Sequence, residues 1–487
     1  MATRPAHPQE FDRINEYTWE LSRLFDGRMN VPVRIYGNEQ IFEQAFGDHS
    51  IQQLVNVSML PGIVRYAMAM PDMHQGYGFP IGGVAAFDYD AGIISPGGVG
   101  YDINCGVRML ASTLYYEEIA PHLEELLAVI YRHCPSGLGK GSAVRVSRQD
   151  IEQVLETGAE WALKKGYAER ADLVCTESSG RLPGARAEAV PSRAIERGRP
   201  QLGSLGAGNH FLEIDVVDEV YDVEVAETFG LFKDRVVVQI HCGSRGLGHE
   251  VCKQYLRRLQ SVPQRYGISI PDRELVAAPV DSPEGRDYLA AMFAAANYAF
   301  TNRQVLAHFV RRSFERVLAG KVSEWHLSQV YDVAHNIAKI EEHLVAGERR
   351  KLVVHRKGAT RAFAPGHPDL PAVYQKTGQP VLVPGSMGTA SYVLAGTEHA
   401  MQETFGSTCH GAGRTMSRRQ AKRKVWGKDL HRELAKQGIV VRAGSMAGLA
   451  EEAPLAYKDV DQVVASVAGA GLARKVARVR PVAVIKG

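Results

Sequence analysis

The residues whose types suggest chemistry are histidines set among glycines. Residues 409–414 read Cys-His-Gly-Ala-Gly-Arg, so a phosphate could approach both the His410 imidazole and the neighbouring backbone N–H groups. Glycine also lies close to His210, His241 and His355. Each segment alone is typical of an ordinary turn, but their recurrence favours a metal site beside a nucleotide pocket.

A candidate metal site begins with Asp-Ile-Asn-Cys at residues 102–105. Asp102 and Cys105 are three residues apart in a turn-like sequence, so both side chains could face one ion, and a thiolate can bridge two. His210, His241 and His335 lie at predicted strand ends or in polar turns, where imidazoles could complete the coordination. A single buried histidine is more often structural. These ligand types suit zinc, iron, cobalt or manganese, and two ions would fit phosphoryl transfer.

His410 is the candidate nucleophile. Imidazole can attack an activated phosphorus and form a phosphoramidate that passes its group on. The flanking Gly411, Ala412 and Gly413 suit an in-line approach to phosphorus better than they suit tight metal caging. The alternative is that His410 is another metal ligand or a general base.

A second loop of small residues, at positions 384–391, reads Pro-Gly-Ser-Met-Gly-Thr-Ala-Ser and follows a predicted strand. Its N–H groups and hydroxyls could contact a phosphate or a base edge, although a simple turn is the default interpretation. Lys357 and Arg361, in the segment His-Arg-Lys-Gly-Ala-Thr-Arg, offer cations for a triphosphate.

Strands and helices must position these groups. Short β-branched runs at residues 236–240, 352–354 and 381–383 predict buried strands that end in the candidate loops. Apolar residues at helical spacing predict one helix after Pro121 and a longer one from Leu289. The mixture predicts an α+β fold.

Domain organisation is predicted to be simple, because no linker divides the chain. The candidate residues extend almost to the last position, which favours a single large integrated domain over residues 1–487. The polar, arginine-rich segment 146–200 is a possible excursion from this domain.

A basic helix is predicted around residues 417–437, directly after the His410 loop. A charge run of this kind is usually a solvated helix face, but its position also favours contact with RNA or phosphate. Its basic residues include Arg418, Arg419, Lys422, Arg423 and Lys424.

Composition narrows the class of protein. The chain has 487 residues, 45% of them hydrophobic, and a net charge of +3, which is too small to indicate nucleic-acid binding by itself. Its six cysteines are scattered without a CxxC pair, which favours a reducing compartment. No apolar run reaches the roughly 20 residues of a membrane span, and the first residues do not resemble a signal peptide. We therefore expect a cytoplasmic protein that does not contact membranes.

Several of these motifs together resemble the RtcB family of RNA ligases. The resemblance extends from Pro-Asp-Met-His-Gln-Gly-Tyr-Gly at residues 71–78 to the final Lys-Gly, and includes Asp-Ile-Asn-Cys, Gly-Asn-His-Phe-Leu-Glu, Ala-His-Asn and Cys-His-Gly-Ala-Gly-Arg. It implies an α+β fold around a central metal-lined cleft. It also implies GTP- and manganese-dependent joining of RNA 3′-phosphate or 2′,3′-cyclic phosphate ends to 5′-hydroxyl ends, in tRNA splicing or RNA repair. Some members use an activating protein, archease.

The same resemblance implies a ligand set for two manganese ions. Cys105 would bridge the ions, Asp102 and His210 would complete one site, and His241 and His335 would complete the other.

It further implies that His410 takes GMP from GTP as a covalent histidine–guanylate. GMP would then pass to the RNA 3′-phosphate, and a 5′-hydroxyl would displace it; a cyclic phosphate would first be opened by metal-activated water. Glu213 would accept from the guanine N–H edge, Lys486 would donate to the base, and Tyr457 would stack on it. The implied guanylate pocket comprises Asn209, His210, Phe211, Leu212, Glu213, His335, Asn336, Pro384, Gly385, Ser386, Met387, Ser391, His410, Gly411, Ala412, Gly413 and Lys486.

Two other classes remain open. A metal-dependent phosphoesterase could use the same ligands to activate water, but it would not need a glycine-flanked nucleophile beside a base pocket. A non-catalytic RNA-binding protein is disfavoured by the near-neutral charge and by the absence of aromatic RNA-binding signatures.

Overall fold

The computed structural model describes residues 3–137, 141–142, 144–322 and 325–487. Its strands are β1 Asp12–Asn15, β2 Thr18–Leu21, β3 Val33–Tyr36, β4 Ile63–His74, β5 Ile81–Asp88, β6 Ile93–Ile94, β7 Gly106–Tyr115, β8 Phe211–Val220, β9 Arg235–Cys242, β10 Ala278–Pro279, β11 Leu327–Ala334, β12 Asn336–Val345, β13 Glu348–Lys357, β14 Ala359–Arg361, β15 Pro380–Val383, β16 Ser391–Ala395, β17 Ser407–Cys409, β18 Val440–Ala443 and β19 Arg474–Lys486.

The α-helices of the same residues are α1 Glu39–Gln44, α2 Ser50–Ser58, α3 Tyr116–Ile119, α4 Leu123–His133, α5 Arg148–Thr157, α6 Ala159–Lys164, α7 Arg170–Val174, α8 Ser192–Gly198, α9 Val223–Thr228, α10 Arg245–Arg258, α11 Val262–Arg265, α12 Pro283–Leu318, α13 Glu398–Thr404, α14 Arg418–Lys424, α15 Gly427–Lys436, α16 Met446–Glu451 and α17 Val460–Gly469. The predicted strands at residues 236–240, 352–354 and 381–383 are confirmed as parts of β9, β13 and β15.

Two large sheets organise the fold. One has the order β1-β2-β3-β4-β5-β13-β12, and the other has the order β11-β7-β9-β8-β19-β16-β15, with β18 beside β19. Most strand pairs are antiparallel, but β3 pairs with β4 and β18 with β19 in parallel. Helices and both kinds of strand pairing lie in one α+β arrangement, which confirms the predicted fold class.

The helix α12 forms much of the core. Ser282 caps its first turn by accepting a hydrogen bond from the Gly285 N–H, and Pro283 occupies the first turn, where its missing N–H costs nothing. Phe293 packs in a cluster that also holds Trp161 of the polar segment 146–200, whereas Phe314 belongs to a second cluster. The helix thus joins two parts of the core. The predicted domain limits stay a prediction.

The prediction of one basic helix around residues 417–437 is wrong in one respect, because the segment forms two helices. The backbone is extended at Val425 and Trp426, between α14 and α15. Ala421 and Leu430 are both buried, yet nine residues at 3.6 per turn would place them on opposite sides of one continuous helix. The break lets both face the core. In the described part of the chain, no helix combines the length and apolarity needed to cross a bilayer.

Candidate functional site

The five predicted metal ligands meet at one edge of the eight-stranded sheet. Cys105 precedes β7, His210 precedes β8, His241 lies near the end of β9 and His335 follows β11. Gly106 at the start of β7 pairs with the ends of both β9 and β11, so these loops lie side by side. Antiparallel pairing therefore gathers side chains that are far apart in sequence.

The ligand atoms converge closely on one another. The Cys105 Sγ lies 3.4 Å from the His210 Nε2 and 3.3 Å from the His241 Nε2. The His241 and His335 Nε2 atoms are 3.2 Å apart, and the His210 Nε2 lies 2.7 Å from the Asp102 Oδ2. The donor atoms form two groups, each within 4.8 Å, and Cys105 belongs to both. This geometry matches a thiolate shared by two sites.

Electrostatics test whether these residues fit a pair of cations. Burial lowers the pKa of His241 and of His335 well below the usual value, so both rings keep a neutral form with a free lone pair. Burial also raises the pKa of the Cys105 thiol to about 12. The His335 Nδ1 is buried without a hydrogen-bond partner among the described residues. Divalent cations would offset the cost of burying these convergent ligand atoms, and a bound cation also favours the deprotonated form of a thiol ligand.

His210 differs from the other two imidazoles. Burial disfavours its charged form, but Cys242, Cys105 and Asp102 outweigh that effect and raise its pKa well above the usual value. This shift favours a protonated ring beside the Asp102 carboxylate. A bound dication would take the place of that proton, and binding would release it.

A layer of fixed groups holds the ligand loops in place. The Arg303 guanidinium donates to the backbone carbonyls of Asn104 and Cys242, each at 2.8 Å. The Ser244 N–H donates to the Asp102 Oδ1 at 3.1 Å. A Cβ at Gly243 would lie 2.5 Å from that same oxygen, so only glycine allows the loop to approach the carboxylate this closely.

His410 is oriented by a carboxylate that sequence reasoning did not assign a role. The buried Asp72 Oδ2 lies 2.5 Å from the His410 Nδ1, and it also accepts from the backbone N–H groups of His410 and Gly411. An Nδ1–H donated to this oxygen leaves the lone pair on the Nε2 atom. The His410 ring centroid is 4.8 Å from that of His335. The candidate nucleophile therefore adjoins the ligand cluster.

A cavity of about 360 Å³ joins these parts. Sixteen of the predicted site residues line it: Asp102, Cys105, Asn209, Phe211, His241, His335, Asn336, Pro384, Gly385, Ser386, Met387, His410, Gly411, Ala412, Gly413 and Lys486. His210 lies behind them in the ligand cluster. Leu212 packs in the apolar core, and the Ser391 hydroxyl accepts from the Gly385 N–H at 3.0 Å.

Two buried ionisable groups, one acidic and one basic, lie beside the cavity. Glu213 and Lys486 are each 4% exposed, and neither side chain has a hydrogen bond or ion pair within the described residues. Burial and Asp215 raise the pKa of Glu213 well above its usual value, while burial lowers the pKa of Lys486. The Lys486 ammonium lies 5.4 Å from the centroid of the Phe211 ring. Buried donors and acceptors without a hydrogen-bond partner are suited to a ligand that carries the complementary edge.

Tyr457 lines another side of the cavity. Its hydroxyl is fixed by Glu452 and by Arg414, whose Nη1 lies 3.0 Å away. Arg418 also donates to Glu452, at 3.1 Å. Arg418 is the first residue of α14, whereas Arg414, Glu452 and Tyr457 lie in the connections before α14 and after α16. The start of the basic segment therefore closes one side of the site.

Two expectations about phosphate contacts are wrong. Arg361 is buried away from the cavity and donates to Gln379, and the three donors of the Lys357 ammonium are used by the carbonyls of Tyr77, Phe79 and Gly97. Neither cation is free for a triphosphate.

Part of the 384–391 loop is also committed internally. The Gly385 N–H donates to Ser391, and the Ser386 N–H donates to the Thr389 hydroxyl at 2.8 Å. These two N–H groups are therefore not available to a phosphate. The remaining loop surface still lines the cavity.

Another group that sequence reasoning missed supports Asp72. The Lys458 ammonium donates to the carbonyls of Pro71 and Met73, at 2.9 and 2.7 Å. It therefore fixes the backbone on both sides of the carboxylate. The sequence offers one signal for Asp72, which is its place in the motif at residues 71–78. It offers none for Lys458, which follows Tyr457 outside any motif.

Fold and site together define an α+β protein in which a cluster of possible metal ligands adjoins a cavity, and comparisons with known proteins give the family. A family model described as tRNA-splicing ligase RtcB matches residues 53–487. Proteins named tRNA-splicing ligase RtcB from Thermococcus kodakarensis and Archaeoglobus fulgidus are 55% and 51% identical over 475 residues, covering 98% of this chain and 98% of each relative. A protein of that name from Nanoarchaeum equitans is 49% identical over 98% of this chain and 99% of its own. The chain belongs to the RtcB family and is an enzyme of the ligase class.

Proposed function

We propose that this enzyme is a GTP-dependent RNA ligase that joins RNA 3′-phosphate or 2′,3′-cyclic phosphate ends to 5′-hydroxyl ends. Family membership supports RNA ligation in tRNA splicing. One observation carries the finer proposal: Asp72 binds the His410 Nδ1, and the His410 ring lies against His335 of the ligand cluster and lines the small-residue cavity. A phosphoesterase that only activates water does not require this oriented imidazole.

In the first step, the His410 Nε2 forms a bond to the α-phosphorus of GTP while the bond to the pyrophosphate oxygen breaks. The Asp72 carboxylate keeps the proton on the Nδ1 atom and stabilises the positive charge that develops on the ring. Gly411 and Ala412 leave room for the phosphorus on the reacting side. Pyrophosphate departs, and GMP remains on His410.

Guanine recognition is proposed to use the two unpartnered buried groups. Glu213 would accept from the N–H edge of the base, and the Lys486 ammonium would donate to its carbonyl oxygen. Adenine has no such edge, so both groups would remain buried and unpaired in its presence. Leaving two buried polar groups without hydrogen bonds is costly, so their presence would select GTP over ATP strongly.

The ligand cluster is proposed to hold two manganese ions, with Cys105 between them. Asp102 and His210 would complete one coordination set, and His241 and His335 the other. When bound, the ions supply positive charge that stabilises phosphoryl oxygens during transfer. The choice of manganese rests on family membership, because these ligand types suit several divalent metals.

In the later steps, an oxygen of the RNA 3′-phosphate attacks the phosphorus of GMP, and the bond to the His410 nitrogen breaks. The 5′-hydroxyl oxygen of the second RNA then attacks the RNA phosphorus, loses its proton and expels GMP. A cyclic phosphate end is first hydrolysed to a 3′-phosphate. Action in the cytoplasm, a role in RNA repair and assistance by archease are further parts of the proposal, drawn from the family.

The test is joining of two synthetic RNAs, one with a 3′-phosphate and one with a 5′-hydroxyl, in the presence of manganese. We expect a joined product that requires GTP and is not formed with ATP. Release of inorganic phosphate from the 3′ end without joining would support a phosphoesterase instead. A His410→Ala variant that still joins the RNAs would exclude the proposed nucleophile.

A further inference from the structure

The segment 414–436 has a charge unlike that of the rest of the chain. It contains nine lysine and arginine residues against two acidic residues, while the whole chain carries only +3. The remainder of the protein is therefore net negative. A locally concentrated positive charge on such a background marks a surface for a polyanion.

Much of this charge has no partner within the protein. Arg414 and Arg418 pair with Glu452, and Lys422 pairs with Glu451. In the part of the chain that the structure describes, no carboxylate pairs with Arg423 or Lys424, and Arg419 and Lys428 are equally unpaired; all four are exposed. These side chains are therefore free to bind phosphates.

Trp426 lies in the middle of this charge, at the break between α14 and α15. Its side chain is 78% exposed, more than any other aromatic residue that the structure describes. It has no ring or cation contact among those residues. An exposed indole beside free cations is the combination with which proteins bind single-stranded nucleic acid, because bases stack on the ring while cations track the phosphates.

The surface is continuous with the proposed active site. Arg418 begins α14 and lines the same cavity as His410, and a Cβ at Gly208 would lie 2.4 Å from the Arg418 Nη2. The seven residues of α14 rise about 10 Å at 1.5 Å each, which corresponds to roughly three nucleotides of a stacked strand at 3.4 Å per step. Trp426 thus lies a short strand length from the cavity.

We infer that residues 414–436 bind the single-stranded RNA that leads into the cavity, with Trp426 stacking on a base about three nucleotides from the reacting end. This inference rests on the proposed ligase function. A duplex is a poorer fit, since duplex RNA is bound mainly through its phosphates and 2′-hydroxyls and offers no unstacked base to the indole. An acidic protein would fit the charge but would not need the exposed ring.

The first experiment measures tryptophan fluorescence during titration with 3′-phosphate RNAs of two and of twelve nucleotides. The chain has four tryptophans, and Trp19 and Trp161 are buried. We expect the longer RNA to quench the fluorescence of the wild type strongly. In Trp426→Phe, which lacks the quenched indole, the same RNA should leave the remaining fluorescence nearly unchanged. Comparable quenching by poly-L-glutamate would overturn the inference in favour of a general site for acidic partners.

The second experiment compares affinities by fluorescence anisotropy with labelled RNA. Trp426→Ala should weaken binding of the twelve-nucleotide RNA about tenfold and leave the dinucleotide unaffected. The double variant Arg423→Ala/Lys424→Ala should reduce the slope of log affinity against log salt by about 1.4, the value for two lost phosphate contacts of a single strand. Arg312→Ala/Arg316→Ala on α12 is the matched control and should change neither quantity.

Labelling of each preparation with α-labelled GTP separates this inference from the ligase proposal. Wild-type protein that forms the guanylate adduct, together with Trp426→Ala protein that binds the longer RNA with unchanged affinity, would overturn the inference alone. Wild-type protein without the adduct would contradict the ligase proposal, whatever the RNA affinities are.

Discussion

Two buried polar clusters of this protein lie next to each other and differ in one respect. Around Asp332, every charge has a partner: Arg303 and Arg108 both donate to its carboxylate at 2.7 Å. Around Cys105, thiol, imidazole and carboxylate donors face one another, and burial raises the pKa of the thiol. In the first cluster the charged groups bind one another and neutral oxygens of the protein, whereas the second is a set of convergent donor atoms that could hold metal ions. The structural network thus has its polar atoms bound within the protein, whereas the candidate binding site lines a cavity.

The largest expected effect is on metal content. Cys105→Ala removes the one ligand that belongs to both donor groups, so we expect neither ion to be retained. Metal analysis of the purified protein after manganese loading measures this directly. Cys134→Ala, a buried cysteine outside the cluster, is the control and should keep the wild-type content. Full stoichiometry in Cys105→Ala would exclude the shared thiolate.

The second prediction makes the same substitution, aspartate to asparagine, in each of the two clusters. Asp332→Asn leaves two buried guanidinium groups without compensation and should lower the free energy of unfolding by about 3–5 kcal/mol. Asp102→Asn should lower it by only about 1 kcal/mol, because His210, unlike an arginine, can lose its proton once the carboxylate is gone, so that mainly hydrogen bonds are affected. Urea unfolding of chelator-treated protein measures both. Equal losses would show that the two clusters do not differ as we describe.

The smallest expected effect is the pH dependence of stability that arises from the buried ion pair of Glu341 and Arg356. Arg356 donates to both oxygens of Glu341, at 2.6 and 2.9 Å. Burial alone would raise the pKa of Glu341, but Arg356, together with His343 at 2.9 Å, outweighs burial and holds it well below the usual 4.5. Below that value the unfolded chain binds a proton that the folded protein does not, so stability falls with falling pH, by at most about 1.4 kcal/mol per unit.

Glu341→Gln tests this sign. The stability advantage of the wild type over the variant should be constant above about pH 5 and should shrink as the pH falls further. Thermal unfolding across this range gives the difference. An advantage that grows on acidification would contradict a depressed pKa.

Sequence patterns predicted that Asp102, Cys105 and the three histidines come together, because cysteine, aspartate and histidine in short polar turns have few other uses together; their role as metal ligands stays a prediction. The strands ending in those turns were predictable for a similar reason, since β-branched runs have a clear period. The role of Asp72 was not predictable, because its partner His410 lies 338 residues away and only tertiary packing joins them.

The errors have a common physical cause. Sequence shows that Lys357 and Arg361 are cations, but it does not show whether carbonyls or side chains already bind them, and burial decides that. The break at Trp426 was in principle readable, because Ala421 and Leu430 cannot share one helix face. The register of apolar residues across a charged segment therefore carries more information than its charge.

The most direct test is incubation with α-labelled GTP and manganese, followed by denaturing electrophoresis. We expect an acid-labile label on the wild type, none on His410→Ala with metal content retained, and labelling about 10²–10⁴ times slower on Asp72→Asn, which loses the oriented proton. A label that survives in His410→Ala would contradict the account, as would a folded, metal-loaded wild type that takes up no label.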